Sequence, residues 1–451
     1  MMNTIAIRRE DLNKKGEQRV GVTPQEVAKW VKAGHKVIVQ PALNPETGER
    51  KRAIKDAQYA DAGALIQEDI SEAKIVFGLK EIGINYIQEG KAYLSFTHTH
   101  KGQVKNKPML KAFADNNCTL IDYELVVNEK GHRIITAFTY FAGYSGMIDT
   151  IWTYGQRLKL QGIDHPFAAI PQGFAMDDID DFKSMLKNIG EDIKRDGTPA
   201  NLPPMINLIL GEGKTSTGSQ EIFDILPVQK ISGSEIADVF ANGDRRNVYE
   251  CVMGIDEMFR PKAGGNLTDA TWNGYDKAAK ENHYFKHPGD FESNLDQFLP
   301  YVSILMNCIL WGPEYPRIFT KELAKKLWQT PQTLVAIGDI TCDPNGSIEF
   351  SQETWINDPV FIFDTNTGEN KLGMEGEGIA VMAVTNLPCE FSKDASIQFS
   401  DDISPLLAGI ANAKLDGTME DSGLPDAIKK ATILWNGEFT PTYEYMRAFI
   451  S

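Results

Sequence analysis

Residues 205–226 read MINLILGEGKTSTGSQEIFDIL, and this stretch decides the fold class. Met205–Leu210 is apolar on both faces, so it reads as a buried strand of a parallel sheet. A glycine turn follows at once, with Gly211, Gly213 and Gly218, and residues 219–226 read as a helix. Such a turn lets backbone N–H groups face a pyrophosphate, and the helix dipole adds favourable charge. The usual spacing is G-x-G-x-x-G. Here it is G-x-G-x-x-x-x-G, which by spacing alone also describes a plain strand–helix turn. Val228–Ile231 reads as the next strand, with no carboxylate beyond it until Glu235. An acid at that position commonly binds the ribose of NAD. Lys230, Ser232 and Ser234 could accept a 2′-phosphate instead, so the spacing favours NADP(H), with NAD(H) as the alternative.

The first 125 residues repeat the strand–helix alternation. Thr4–Arg8, His35–Gln40, Ala73–Gly78, Ala92–Phe96 and Cys118–Tyr123 read as strands. Thr23-Pro24-Gln25-Glu26 reads as a capping box opening the first helix. This alternation predicts a parallel sheet covered on both faces. Ala142–Leu160 reads as a long connecting helix, Asp181–Asp196 as an amphipathic helix, and Leu334–Ile337 as a strand with Asp339 just beyond it. Val360–Phe363 and Ile379–Val384 read as strands, followed by helices. The expected architecture is α/β, with two doubly wound, Rossmann-like domains and an active-site cleft between them. Residues 1–140 with 345–451 are assigned to a discontinuous substrate domain, and 141–344 to the dinucleotide-binding domain.

In parallel sheets, ligands bind beyond the carboxyl ends of the strands. Lys80 and Glu81, His98 and Lys101, and Glu124 all fall there. Arg19 lies in the loop before the first helix, and Arg133 follows in GHRIITAF. Two arginines and two lysines at one rim suit a polycarboxylate, because arginine grips carboxylate bidentately. A lysine and a histidine side by side suit acid–base work, since each positive charge discourages the other. Spacing does not choose between His98 and His100.

Composition narrows the class. The chain has 451 residues, 42% hydrophobic and 24% charged, which suits two globular domains. Its formal net charge of −16 argues against nucleic acid as a partner. Cys118, Cys251, Cys308, Cys342 and Cys389 show no metal spacing and no disulfide pattern, so a reducing compartment and no metal are expected. No signal peptide or membrane span is read, and a cytoplasmic protein is expected.

The chain resembles the lysine–oxoglutarate reductase domain of bifunctional aminoadipate semialdehyde synthases. It is more distantly similar to lysine-forming saccharopine dehydrogenases, and beyond them to alanine dehydrogenase and the transhydrogenase N-terminal domain. The matching stretches run in order: AIRRED, RVGVTP, VFGLKE, FTHTHKGQ, LIDYE, AFTYFAGYSGM, LGEGKTSTGSQEIF, GDRRNVY, LVAIGDIT, GSIEF and VTNLPCE. The resemblance implies interconversion of saccharopine with lysine and 2-oxoglutarate by a nicotinamide cofactor. It implies that Lys80 and His98 form an acid–base pair, with Glu124 modulating it. Arg19, Glu81, Lys101 and Arg133 would contact the amino-dicarboxylate. Gly211, Gly213, Gly218, Met253, Asp339 and Leu387 would face the cofactor. The bifunctional proteins carry a glutamate-forming half with no counterpart here, so a separate enzyme would take saccharopine further. The expected partners are small molecules, and a homo-oligomer is compatible with the sequence. The rival readings are an alanine-dehydrogenase-type amino acid dehydrogenase and a cofactor-binding regulatory module without turnover.

Overall fold

Strand residues alternate between two apolar layers, and this period of two builds both sheets. In the computed structural model, which describes residues 2–100, 102–176, 178–330 and 333–450, the chain forms two units. The crossings fall at Phe138/Thr139 and Phe391/Ser392.

The first unit holds strands β1 (Thr4–Ile7), β2 (Lys36–Val39), β3 (Leu65–Ile66), β4 (Ile75–Phe77), β5 (Ala92–Ser95) and β6 (Thr119–Asp122). They are parallel, in the order β3-β2-β1-β4-β5-β6. Ile5, Ile7, Phe77 and Leu94 enter one apolar layer, and Ala6, Val76, Tyr93 and Leu120 the other.

The second unit holds β7 (Ile206–Leu210), β8 (Val228–Lys230) and β9 (Val248–Met253), a separate antiparallel pair of β10 (Phe259–Pro261) and β11 (Phe291–Ser293), then β12 (Ile304–Asn307), β13 (Ala336–Asp339), β14 (Val360–Phe363), β15 (Asn370–Leu372) and β16 (Ile379–Met382). Its eight-stranded sheet runs β15-β14-β16-β13-β12-β7-β9-β8. The strand beside β7 is therefore β9, and β8, the next in sequence, lies at the edge. The last two strands, β17 (Thr432–Trp435) and β18 (Glu438–Phe439), return antiparallel to the first sheet beside β6.

Three expectations need correction. Residues 345–391 belong with the second unit, because β16 pairs with β13 and β14 pairs with β16. Sequence distance misassigned them; hydrogen bonding of the sheet edge decides. The tail is not purely helical after residue 384, since β17 and β18 extend the first sheet. The capping box at Thr23 does not form. The Thr23 hydroxyl lies 3.1 Å from Ser400 Oγ, and Glu26 pairs with Lys29 and Ser404, so tertiary partners outcompete the local ones. Among the described residues no helix is long and apolar enough to cross a membrane.

Candidate active site

In the first unit, the loops after β4 and β5 are tied side by side. Phe96 N–H donates to the Leu79 carbonyl at 2.8 Å. The Glu10 carboxylate accepts from the backbone N–H groups of Leu79 and Lys80, each at 2.9 Å. These bonds fix the backbone on which Lys80, Glu81 and His98 sit. His98 itself has φ 51, in the left-handed region that non-glycine residues seldom occupy. Such strain persists where the surroundings over-determine it, and it concentrates at functional sites.

The side chains make a charged chain. His98 Nδ1 lies 2.7 Å from Glu81 Oε1, and Lys14 Nζ lies 2.5 Å from Glu81 Oε2. Burial works to raise the Glu81 pKa, but the hydrogen bonds from His98 and Lys14 outweigh it and hold the carboxyl well below its ordinary range. Glu81 is thus an anion that only accepts, so His98 Nδ1 carries the hydrogen and Nε2 is left to take a proton. Nearby, the buried Arg19 fork grips Glu17 through Nε at 2.8 Å and Nη2 at 2.6 Å. Burial opposes ionisation of Glu17, yet Arg19 and then Lys80 bring its pKa down to about 2. The Arg19 guanidinium also lies 4.2 Å from the centre of the Phe138 ring. The fork expected to hold a substrate carboxylate therefore holds Glu17.

The rival histidine has different company. His100 Nδ1 is 3.7 Å from Asp122 Oδ2, and its Nε2 is 3.6 Å from Glu124 Oε2. Glu124 accepts from Arg133 Nη2 at 2.9 Å, so both residues stand on the His100 side of the rim. Lys101 lies outside the described residues. Sequence reasoning passed over Lys14, Glu10 and Glu17. Their signal was their place in the loop that leaves the carboxyl end of β1, where a parallel sheet presents its ligands.

In the second unit, the three glycines separate by role. Gly211 has φ +97, a turn conformation that favours glycine, and its N–H donates to the Met253 carbonyl at 2.9 Å. Gly213 caps the helix Lys214–Phe223, and a Cβ there would meet open space. Gly218 faces the helix Ala137–Leu160, where a Cβ would stand 2.3 Å from the Tyr140 carbonyl oxygen. These are the tight turn, the open approach and the close packing expected at a pyrophosphate turn. A cavity of about 270 Å³ lies beside it, lined by Gly211, Glu212, Gly213, Gly254 and Ile255 among others. The Glu212 carboxylate pairs with Lys277. The residues present fit a dinucleotide.

The other expected cofactor residues have protein partners of their own. Lys230 Nζ is 2.5 Å from Asp224 Oδ1 and also pairs with the buried Glu250. Burial, the larger influence, raises Glu250 to about 7 despite Lys230. Ser232 Oγ is 2.7 Å from Glu235 Oε2, which makes a capping box. Met253 and Leu387 are buried in apolar layers. Asp339 is buried, accepting from Asn307 Nδ2 at 2.7 Å and from Cys342 N–H at 3.2 Å, and it pairs with Ser351. Burial raises it to about 6.

Comparison with known proteins places this geometry. The family profile described as "Alanine dehydrogenase/PNT, N-terminal domain" matches residues 6–145. The Arabidopsis thaliana "Alpha-aminoadipic semialdehyde synthase" is 32% identical over 98% of this chain and 41% of its own length. The Rattus norvegicus "Alpha-aminoadipic semialdehyde synthase, mitochondrial" is 30% identical over 98% of this chain and 47% of its own length. The chain thus spans less than half the length of these two relatives. The "Saccharopine dehydrogenase [NAD(+), L-lysine-forming]" of Yarrowia lipolytica is 30% identical over 87% of this chain and 88% of its own length. The chain belongs to the lysine-forming saccharopine dehydrogenase family. Among solved structures, an L-alanine dehydrogenase matches with a TM-score of 0.60 at 16% identity, covering 99% of this chain and 100% of its own. The transhydrogenase from Sinorhizobium meliloti gives 0.57 at 15%, covering 97% and 100%. At those identities the likeness shows the fold alone, two parallel-dominated α/β sheets.

Proposed function

We propose that this chain is a nicotinamide-dependent oxidoreductase acting on a CH–NH bond, interconverting saccharopine with L-lysine and 2-oxoglutarate. The observation that carries the reading is the line Lys14–Glu81–His98 beside Lys80, at the carboxyl ends of β4 and β5, in a chain of this family. The lysine ε-amine attacks a ketone only when neutral. His98 Nε2, its tautomer fixed by Glu81, is the base that removes the ammonium proton. Lys80, next to Glu81 in the chain, is the second acid–base group of this reading. Arg133, exposed and held by Glu124, is the further carboxylate contact of this reading. Loss of water from the carbinolamine gives an imine, and His98 in its protonated form is the acid for that departure.

Gly211 and Gly213, with the N-terminus of the helix Lys214–Phe223, would hold the dinucleotide pyrophosphate. When bound, that cofactor supplies or accepts the hydride at the carbon of the C–N bond. The groups expected to favour a 2′-phosphate, Lys230 and Ser232, are engaged by carboxylates, and Glu212 and Glu281 line the cavity beside the turn. This acidic setting fits NAD(H), against the NADP(H) expected from sequence.

One spectrophotometric assay tests the reading. Oxidation of NADH or NADPH is followed with lysine plus 2-oxoglutarate, and separately with pyruvate plus ammonia. Turnover is expected with the first pair. Turnover with the second pair alone makes it an alanine-type dehydrogenase, and cofactor binding without turnover makes it a regulatory module. Lys80→Met and His98→Gln should each lower kcat roughly ten- to a thousandfold.

A further inference from the structure

A cavity lies in the second unit, at the amino ends of β7, β12, β13 and β16, the sheet edge opposite the glycine turn. Its volume is about 760 Å³. The proposed reaction uses none of it.

Its charges are arranged in an unusual way. Arg157, from the helix Ala137–Leu160, is 6% exposed. Its Nη1 donates to the Met374 carbonyl at 2.6 Å, and its Nη2 to the Gly376 carbonyl at 2.8 Å and the Gly378 carbonyl at 3.5 Å. Among the described residues no carboxylate lies within ion-pair distance of it, and no acceptor meets its Nε–H. A buried guanidinium is ordinarily paired with an acid. The loop it holds is Met374-Glu375-Gly376-Glu377-Gly378, with Gly376 at φ 131 and Gly378 at φ 123. Glu375 and Glu377 flank the gripped carbonyl, are exposed, and line the same cavity. Among the described residues neither has a cationic partner. Leu158, Leu202 and Trp328 add apolar wall.

A bare loop staple would explain the three carbonyl bonds. It does not explain a cavity of this size with an unpaired cation set into it and two unpaired anions beside that cation. An α-amino acid complements that pattern: a carboxylate for the Arg157 Nε–H, an ammonium for Glu375 and Glu377, and an aliphatic side chain for the walls. We infer that this cavity is a second ligand site, separate from the glycine turn and from the rim of the first unit, and that it takes an aliphatic α-amino acid.

The test uses the full chain and calorimetric titration with L-leucine, leucinamide, which lacks the carboxylate, and 4-methylpentanoate, which lacks the ammonium. Leucine is expected to bind saturably, about tenfold or more tighter than either analogue. Leu202→Trp, which fills the cavity, should abolish that binding, with unchanged circular dichroism showing that the variant folds. The double variant Glu375→Gln, Glu377→Gln should remove the advantage of leucine over 4-methylpentanoate. Binding should survive His98→Gln, which separates this site from the rim. The inference is overturned if leucine shows no binding up to about 10 mM, if the three probes bind alike, or if binding persists in folded Leu202→Trp.

Discussion

His98 Nδ1 stands 2.7 Å from Glu81 Oε1, and His98 holds that position at φ 51. The carboxylate is kept ionised by a second bond, from Lys14 at 2.5 Å. The imidazole is thus oriented by an anion and placed by a strained backbone. Glu81→Gln replaces an obligate acceptor with an amide that can turn its NH₂ toward Nδ1 and fix the other tautomer. We expect kcat to fall roughly tenfold to a thousandfold, with the KM for the nicotinamide unchanged. Wild-type turnover in this variant would remove Glu81 from the mechanism.

The backbone at residue 98 offers a second test. Glycine is at ease at φ 51, and alanine is not. His98→Gly should therefore be more stable than His98→Ala by about 1 kcal/mol, although both lose activity. Paired urea unfolding curves measure the difference. Equal stabilities would show that the left-handed conformation costs nothing here.

The glycine turn divides into a packing residue and an approach residue. Gly218→Ala would drive a Cβ to 2.3 Å from the Tyr140 carbonyl oxygen, and a backbone atom cannot swing aside. It should lower Tm markedly, as overpacking costs about 1–3 kcal/mol or more. Gly213→Ala places its Cβ in open space. It should leave Tm near the wild-type value and weaken dinucleotide binding, read by quenching of protein fluorescence.

Lys230 decides between two accounts of cofactor choice. Its charge is already balanced by Asp224 and Glu250. Lys230→Met should change the ratio of NADPH to NADH affinity by less than about threefold. A direct phosphate contact, worth about 1.5–3 kcal/mol, would change it about tenfold or more.

Glu390 and Asp149 form a buried acid pair. Burial first, and the Asp149 charge second, push Glu390 well above its ordinary 4.5. Burial likewise raises Asp149. An acid with a raised folded-state pKa favours the fold while protonated. That stability is full below the unfolded-state value and is lost as pH rises toward the folded-state value. Glu390→Gln keeps the neutral form at every pH. Its Tm should exceed that of the wild type by a margin that grows as pH rises above about 4.5. A margin independent of pH would contradict the buried pair.

Most of the fold was legible because it is written in local patterns. The apolar run Met205–Leu210, the turn after it and the alternating strands of residues 4–123 each fall within a window of a few residues. Strands β9 and β12 escaped notice because Glu250 interrupts the apolar run of Val248–Met253 and Ile304–Asn307 lies inside a longer apolar stretch without a clear start or end. The site was legible as a list of strand-end residues. Which of them meet was not, since Lys14 and Glu81 are 67 residues apart and no sequence window holds both.

The sequence by itself determined that two α/β units would form, that a glycine turn would follow β7, and that Lys80, Glu81 and His98 would stand at strand ends. Periodicity and turn chemistry are local, and a single chain carries them without reference to its distant parts. Only the tertiary structure decided that Glu81 belongs to His98, that Arg19 belongs to Glu17, that β9 displaces β8 from the side of β7, and that Lys230 is already paired. Those outcomes rest on which charges are buried together and which strand edges find hydrogen-bond partners, and both depend on contacts between residues far apart in the chain.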